Sequence, residues 1–175
     1  MIQKPSPNYT PGRTHKIDRV VCHWIVGNLA SADATFANPK SGVSAHYGIE
    51  GNKVHQYVKE SDTAWHAGTR AMNARSIGIE HSASPDRPAA PLTIETSAKL
   101  LAEISKRHNI PLDREHIIKH SEVVPTQCPG TIPIDSIIKR ANELLKGEEM
   151  LRNRNHLVYL FRQFVNRDPT VTGGS

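Results

Sequence analysis

The sequence predicts an α/β domain: a central mixed β-sheet flanked by helices. Three observations carry this. Val20, Val21, Cys22, Trp24, Ile25 and Val26 form an almost continuous apolar run, as in a central strand covered on both faces. Residues 45–50 and 53–58 read as an antiparallel hairpin around the two-residue turn Gly51-Asn52. Ile94, Ala98, Leu101 and Ile104, and later Ile134, Ile137, Ile138, Ala141, Leu144 and Leu145, recur at helical spacing.

A chain of 175 residues holds one domain with a substantial core and a short appendage. We place the domain at residues 1–147 and the appendage at 148–175. The formal charge of +5 favours an anionic partner: nucleic acid, an anionic membrane or an acidic cell-wall polymer. No basic run interleaved with aromatics supports nucleic acid. Two cysteines, Cys22 and Cys128, do not make a disulfide framework. No apolar stretch reaches transmembrane length. The N-terminal residues lack the apolar core of a secretory signal. The expectation is therefore action inside the cell, release by another route, or loss of a signal segment.

Residues 1–16, rich in Pro, Ser and Lys, read as an extended arm. Residues 18–26 are the first strand. His23 interrupts its apolar run and needs a partner, because an unsatisfied buried polar group costs roughly 1–3 kcal/mol. A backbone carbonyl or a metal would serve. Alternation turns Cys22 to the opposite face, a buried bystander. A short helix is expected near residues 31–36. His46 and His55 fall in the hairpin as structural or groove-lining residues. Residues 64–68, AWHAG, expose Trp65 and His66 on a loop. A tryptophan there stacks on a sugar or peptide, or caps the core.

Residues 73–81, NARSIGIEH, lead from a loop into a strand. Ile77 and Ile79 share one face, and Gly78 and Glu80 the other. An acid inside an apolar strand is costly unless paired or working, and Gly78 leaves room beside it for a ligand. Thr93 is the expected N-cap of the next helix, which Asn109 and Pro111 end. A strand before His120 follows, then the helix from Ile134, expected to stop at Gly147. Leu157, Leu160, Phe161, Phe164 and Val165, with Arg152, Arg154, Arg162 and Arg167 around them, predict a separate amphipathic helix ending at Asp168-Pro169. Its apolar face implies packing on the domain or on a second copy, or contact with an anionic envelope surface. Packing is the favoured of the two. The last residues, TVTGGS, read as disordered or as a cloning remnant.

The stretch KHSEVVPTQCPG, residues 119–130, organises the rest. Pro125 and Pro129 rule out a regular helix, so a loop swings Cys128 back toward His120. Both are good zinc ligands. His23 ends one strand and His120 another. With Cys128 they make a three-ligand set with an open fourth position, as catalytic zinc requires. Glu80 projects nearby.

Five segments, VVCHWIVG, VSAHYGIEGNKVHQYV, AWHAG, NARSIGIEH and IIKHSEVVPTQCPG, resemble in order those of the zinc-dependent N-acetylmuramoyl-L-alanine amidases of phage lysins and bacterial cell-wall hydrolases. These share the peptidoglycan recognition protein fold. The resemblance spans about residues 18–146. It implies one Zn2+ on His23, His120 and Cys128, Glu80 as catalytic carboxylate, and Thr126 facing the zinc-bound water or the substrate carbonyl. It implies hydrolysis of the amide between N-acetylmuramic acid and L-alanine in the cell wall. Trp65, His66 and Asn73 are the expected substrate-binding residues. Two departures stand out. Ala45 replaces the tyrosine some members carry, and Thr126 stands where some carry lysine, so Glu80 is the candidate base.

Two other readings compete. One is a peptidoglycan-binding module of the same fold without activity, although such relatives typically lose the cysteine ligand. The other is a structural zinc site closed by His46, His66 or His81.

Overall fold

The computed structural model describes residues 1–165. In order, the chain runs β1 (Ile2–Gln3), β2 (Tyr9–Thr10), β3 (Arg19–Trp24), α1 (Leu29–Ala37), β4 (Tyr47–Glu50), β5 (Lys53–Gln56), β6 (Thr63–Ala64), α2 (Arg70–Arg75), β7 (Ser76–His81), α3 (Pro91–His108), β8 (Ile117–Lys119) and α4 (Ile134–Val165). Six strands form one sheet in the order β1-β5-β4-β7-β3-β8; β2 and β6 make a separate antiparallel pair. β3 is parallel to both β7 and β8, β4 is parallel to β7, and β4 and β5 form the antiparallel hairpin. The predicted α/β class and mixed sheet are observed.

Alternation sorts the two sides of the sheet. Val20 and Cys22 of β3, Ile77 and Ile79 of β7, and Ile117 of β8 pack with Leu101 and Ile104 of α3 and Ile137 and Ala141 of α4. Each fully buried aliphatic side chain stabilises the fold by about 1.5–3 kcal/mol. A smaller cluster joins Ala32 and Phe36 of α1 to Ala45, Tyr57 and Ala64. Cys22 is buried in the first cluster, away from His23.

Several expectations are corrected. Thr93 does not cap α3. Ala90 holds the cap position without a side-chain bond, Pro91 opens the helix, and the Thr93 hydroxyl accepts from the Gly51 N–H at 2.8 Å, tying α3 to the hairpin turn. Asn73 lies in α2, too short a helix for periodicity to reveal, although Thr69 caps it. Asn109 ends α3 in the left-handed conformation as expected.

The largest difference is at Gly147. α4 continues through it as a single helix of 32 residues. One interior glycine costs about 1 kcal/mol relative to alanine, too little to stop a helix with favourable residues on both sides. Beyond it Leu157, Phe161 and Phe164 are 66%, 67% and 78% exposed, so the favoured packing on the domain is not made by the described residues. No described helix is long and apolar enough to cross a membrane. Arg167, the expected stop at Asp168-Pro169 and the TVTGGS end lie outside the described residues.

Candidate functional site

Parallel strands deliver the site residues to one end of the sheet, where crevices open in α/β folds. His23 sits near the carboxyl end of β3, directly opposite Glu80 of β7 in the strand register. His120 follows the last residue of β8 and opens a 3₁₀ turn, His120–Glu122. The loop then folds back on itself. Val123 N–H donates to the His120 carbonyl at 2.9 Å, Ser121 N–H to the Cys128 carbonyl at 2.9 Å, and Gly130 N–H to the Gln127 carbonyl at 2.7 Å. Gly130, at φ +58°, lies so close to the Trp24 ring that a Cβ would sit 2.1 Å from it. Only glycine meets both demands.

These elements gather one donor atom each from His23, His120 and Cys128 within 4.8 Å of one another. Cys128 Sγ is 3.6 Å from His23 Nδ1, and the two imidazole centroids are 4.5 Å apart. His120 Nε2 is buried with no hydrogen-bond partner. A donor set of two imidazoles and a thiol suits a soft divalent cation such as zinc. Burial keeps both imidazoles neutral, as ligation requires. It pushes His23 well below its ordinary value, and lowers His120 against an opposing hydrogen bond that its ring donates to the Ala67 backbone. Burial also pushes the Cys128 thiol up to about 12, so an incoming ion has a proton to displace.

Glu80 Oε2 is likewise buried and unpartnered, and burial raises this carboxyl to about 8. Of the two readings of an acid in this strand, paired or working, the geometry gives no pairing partner among the described residues. Thr126 is exposed, and its Oγ1 accepts from Cys128 N–H at 3.2 Å, which leaves its own proton free to donate.

The loop after β6 departs from expectation. Trp65 is 36% exposed, its indole N–H held by Thr10 Oγ1 at 3.0 Å, and it lines a cavity of about 620 Å³ with Asn73. His66, however, is buried. Its Nδ1 lies 3.0 Å from His23 Nε2 and its Nε2 3.2 Å from Ser76 Oγ. The room beside Gly78 belongs to this ring: a Cβ on Gly78 would come within 2.5 Å of His66 Cγ, so no ligand approaches there. Asn73 Oδ1 accepts from the His66 and Ala67 N–H groups at 3.1 and 2.7 Å.

None of the histidines considered as a fourth ligand joins the cluster. His81 bonds the His23 carbonyl and Ser97 Oγ, both at its own side of the sheet. His46 accepts from Gly78 N–H. His66 meets His23 through the nitrogen opposite the one that faces Cys128. Ser76 had escaped sequence reasoning. Its signal was the polar stripe it forms with Gly78 and Glu80 on one face of β7.

Comparisons with known proteins place the chain in a family and a fold. The family model described as N-acetylmuramoyl-L-alanine amidase matches residues 13–131. N-acetylmuramoyl-L-alanine amidase A of Achromobacter lyticus is 32% identical over 109 residues, 60% of this chain and 60% of that protein. Endolysin LysK of Staphylococcus phage K is 28% identical over 142 residues, 73% of this chain and 29% of that one. The chain thus spans less than two thirds of the length of these curated relatives. Among solved structures, a mutant endolysin from Bacillus subtilis superposes with a TM-score of 0.67 at 25% identity, covering 80% of this chain and 97% of that chain.

Proposed function

The chain belongs to the N-acetylmuramoyl-L-alanine amidase family, and from that footing we propose that it hydrolyses the amide between N-acetylmuramic acid and L-alanine in peptidoglycan, at a zinc ion held by His23, His120 and Cys128. The observation that carries this reading is the two-nitrogen, one-sulfur donor set beside a buried, unpartnered carboxyl on the adjacent strand. Three protein ligands leave a coordination position open, as in catalytic rather than structural zinc. When bound, zinc supplies Lewis acidity toward the scissile carbonyl and acidifies a water.

The chain's own residues do the rest. Glu80 takes a proton from the attacking water and returns it to the departing L-alanine nitrogen. Its low-dielectric setting suits it to both jobs, because a carboxyl with a raised pKa is a better base when ionised and is readily reprotonated. The Thr126 hydroxyl donates to the oxyanion. Trp65 offers an open ring face for a sugar or peptide, while His66 and Asn73 hold the loop beneath it. The formal charge of +5 suits an anionic wall polymer. The site of action is therefore the cell wall.

Digestion of purified peptidoglycan by the zinc-loaded chain tests this. We expect new L-alanine amino termini and one zinc per chain. Wall binding without turnover would replace the enzyme with a receptor; zinc with neither would leave a structural site.

A further inference from the structure

A run of hydrogen bonds behind the donor cluster has only one consistent assignment of protons. Ser76 Oγ lies 2.6 Å from the Met72 carbonyl, which can only accept. The single hydroxyl proton of Ser76 is therefore spent there. Toward His66 Nε2, at 3.2 Å, Ser76 can only accept, so that nitrogen carries a proton. A neutral His66 then has a bare Nδ1. Its neighbour at 3.0 Å is His23 Nε2, which must supply the proton of that bond. A neutral His23 protonated on Nε2 has its lone pair on Nδ1, the nitrogen that faces Cys128 Sγ.

We propose that the Met72 carbonyl, Ser76 and His66 form a relay that locks His23 in its Nε2–H tautomer and so presents Nδ1 to a metal before any ion arrives. His66 is thereby a positioning residue of the metal centre. The inference rests on the reading of His23 as a metal ligand. The scaffold around the relay is correspondingly tight. The His66 ring lies flat against the space of the absent Gly78 side chain. The Asn73 carboxamide oxygen fixes the His66 and Ala67 N–H groups. Both relay partners arise from the α2–β7 junction, so a helix carbonyl dictates the protonation of a ring on another strand. Partners of ligating histidines typically change metal affinity by 10–100-fold when removed.

The test has two arms. In the first, long-range ¹⁵N–¹H correlation spectra of the full, metal-free wild-type chain read the His23 tautomer directly. The relay requires a protonated Nε2 and a bare Nδ1; the opposite tautomer, or a mixture, overturns it. In the second, zinc affinity is measured by competition with a chromophoric chelator for His66→Phe, His66→Asn and Ser76→Ala. The phenyl ring keeps the packing on Gly78 but has no acceptor; asparagine restores an acceptor near the Nδ1 position. We expect His66→Phe to bind zinc about 10–100-fold more weakly, with a mixed His23 tautomer, and His66→Asn to recover much of the loss. Ser76→Ala should fall between wild type and His66→Phe. A merely structural His66 would lower the melting temperature of Phe and Asn variants alike and leave the His23 tautomer untouched, and that result also overturns the relay. Neither arm uses peptidoglycan. A chain with the expected tautomer and zinc affinity that leaves peptidoglycan intact refutes the amidase reading alone.

Discussion

Burial raises the Glu80 carboxyl from its ordinary 4.5 to about 8, so at neutral pH the metal-free fold holds a protonated acid where the unfolded chain carries a carboxylate. Between these two values the folded state binds more protons than the unfolded one, and stability falls as pH rises through the window. Glu80→Gln removes that dependence. Near the upper end of the window the metal-free variant should be more stable than metal-free wild type, by on the order of 1 kcal/mol or more, in denaturant titrations. The zinc-loaded variant should keep its metal and lose turnover by about 100-fold or more. Unchanged turnover would assign the proton transfers to another group. Cys128 gives the complementary case. Since burial holds its thiol at about 12, zinc uptake near neutral pH should release a proton, visible as a buffer-dependent heat in calorimetry. Cys128→Ser should lose both that proton and most of the affinity, since a hydroxyl is a poorer zinc ligand. Stoichiometric zinc and full activity in the variant would remove Cys128 from the centre.

The strand β4 and the end of α3 are tied by a second carboxylate. Glu60 accepts from Tyr47 of β4 at 2.6 Å, and from Arg107 and His108 at the end of α3, each at 2.6 Å. Burial alone would raise its pKa, but the hydrogen bonds from Arg107, Tyr47 and His108 win and hold it at about 2. The unfolded carboxylate titrates near its ordinary 4.5. The stabilisation is therefore complete above that value and is lost as pH falls through about 2. Glu60→Gln should cost on the order of 2 kcal/mol at neutral pH, allowing for solvent screening. Its acid unfolding profile should be flatter than that of wild type across this window; parallel profiles would discount the cluster. Much at this scale was legible beforehand. Alternation marked Ile77 and Ile79 against Gly78 and Glu80, the Gly51-Asn52 turn set the hairpin, and Asn109 ended α3. The strand-end histidines and the proline-bounded loop likewise pointed to one cluster. His66 was not legible, because the burial of a loop residue depends on what packs above it, here a ring 43 positions away in the chain. Thr93 misled for a similar reason: its hydroxyl is taken by the hairpin turn, a tertiary partner that no local pattern encodes.

For the molecule as a whole, the second half of α4 is the part least tied to the domain. The buried residues of this helix end at Ala141. Beyond Gly147 the described contact with the domain includes the exposed Lys106–Glu148 ion pair, 36% and 45% accessible, and such a pair contributes about 0–1 kcal/mol. Truncation after Gly147 should therefore lower the thermal midpoint by no more than about 2–4 °C and leave turnover of soluble muropeptides intact. A larger fall would show that the helix packs on the domain or on a second copy after all. At about 1.5 Å per residue, the 32 residues of α4 extend about 48 Å. A compact chain of this size has a radius of gyration of about 16 Å. A monomer with this helix should tumble anisotropically, drag more than its mass predicts, and give a small-angle scattering distance distribution with a long, thin tail.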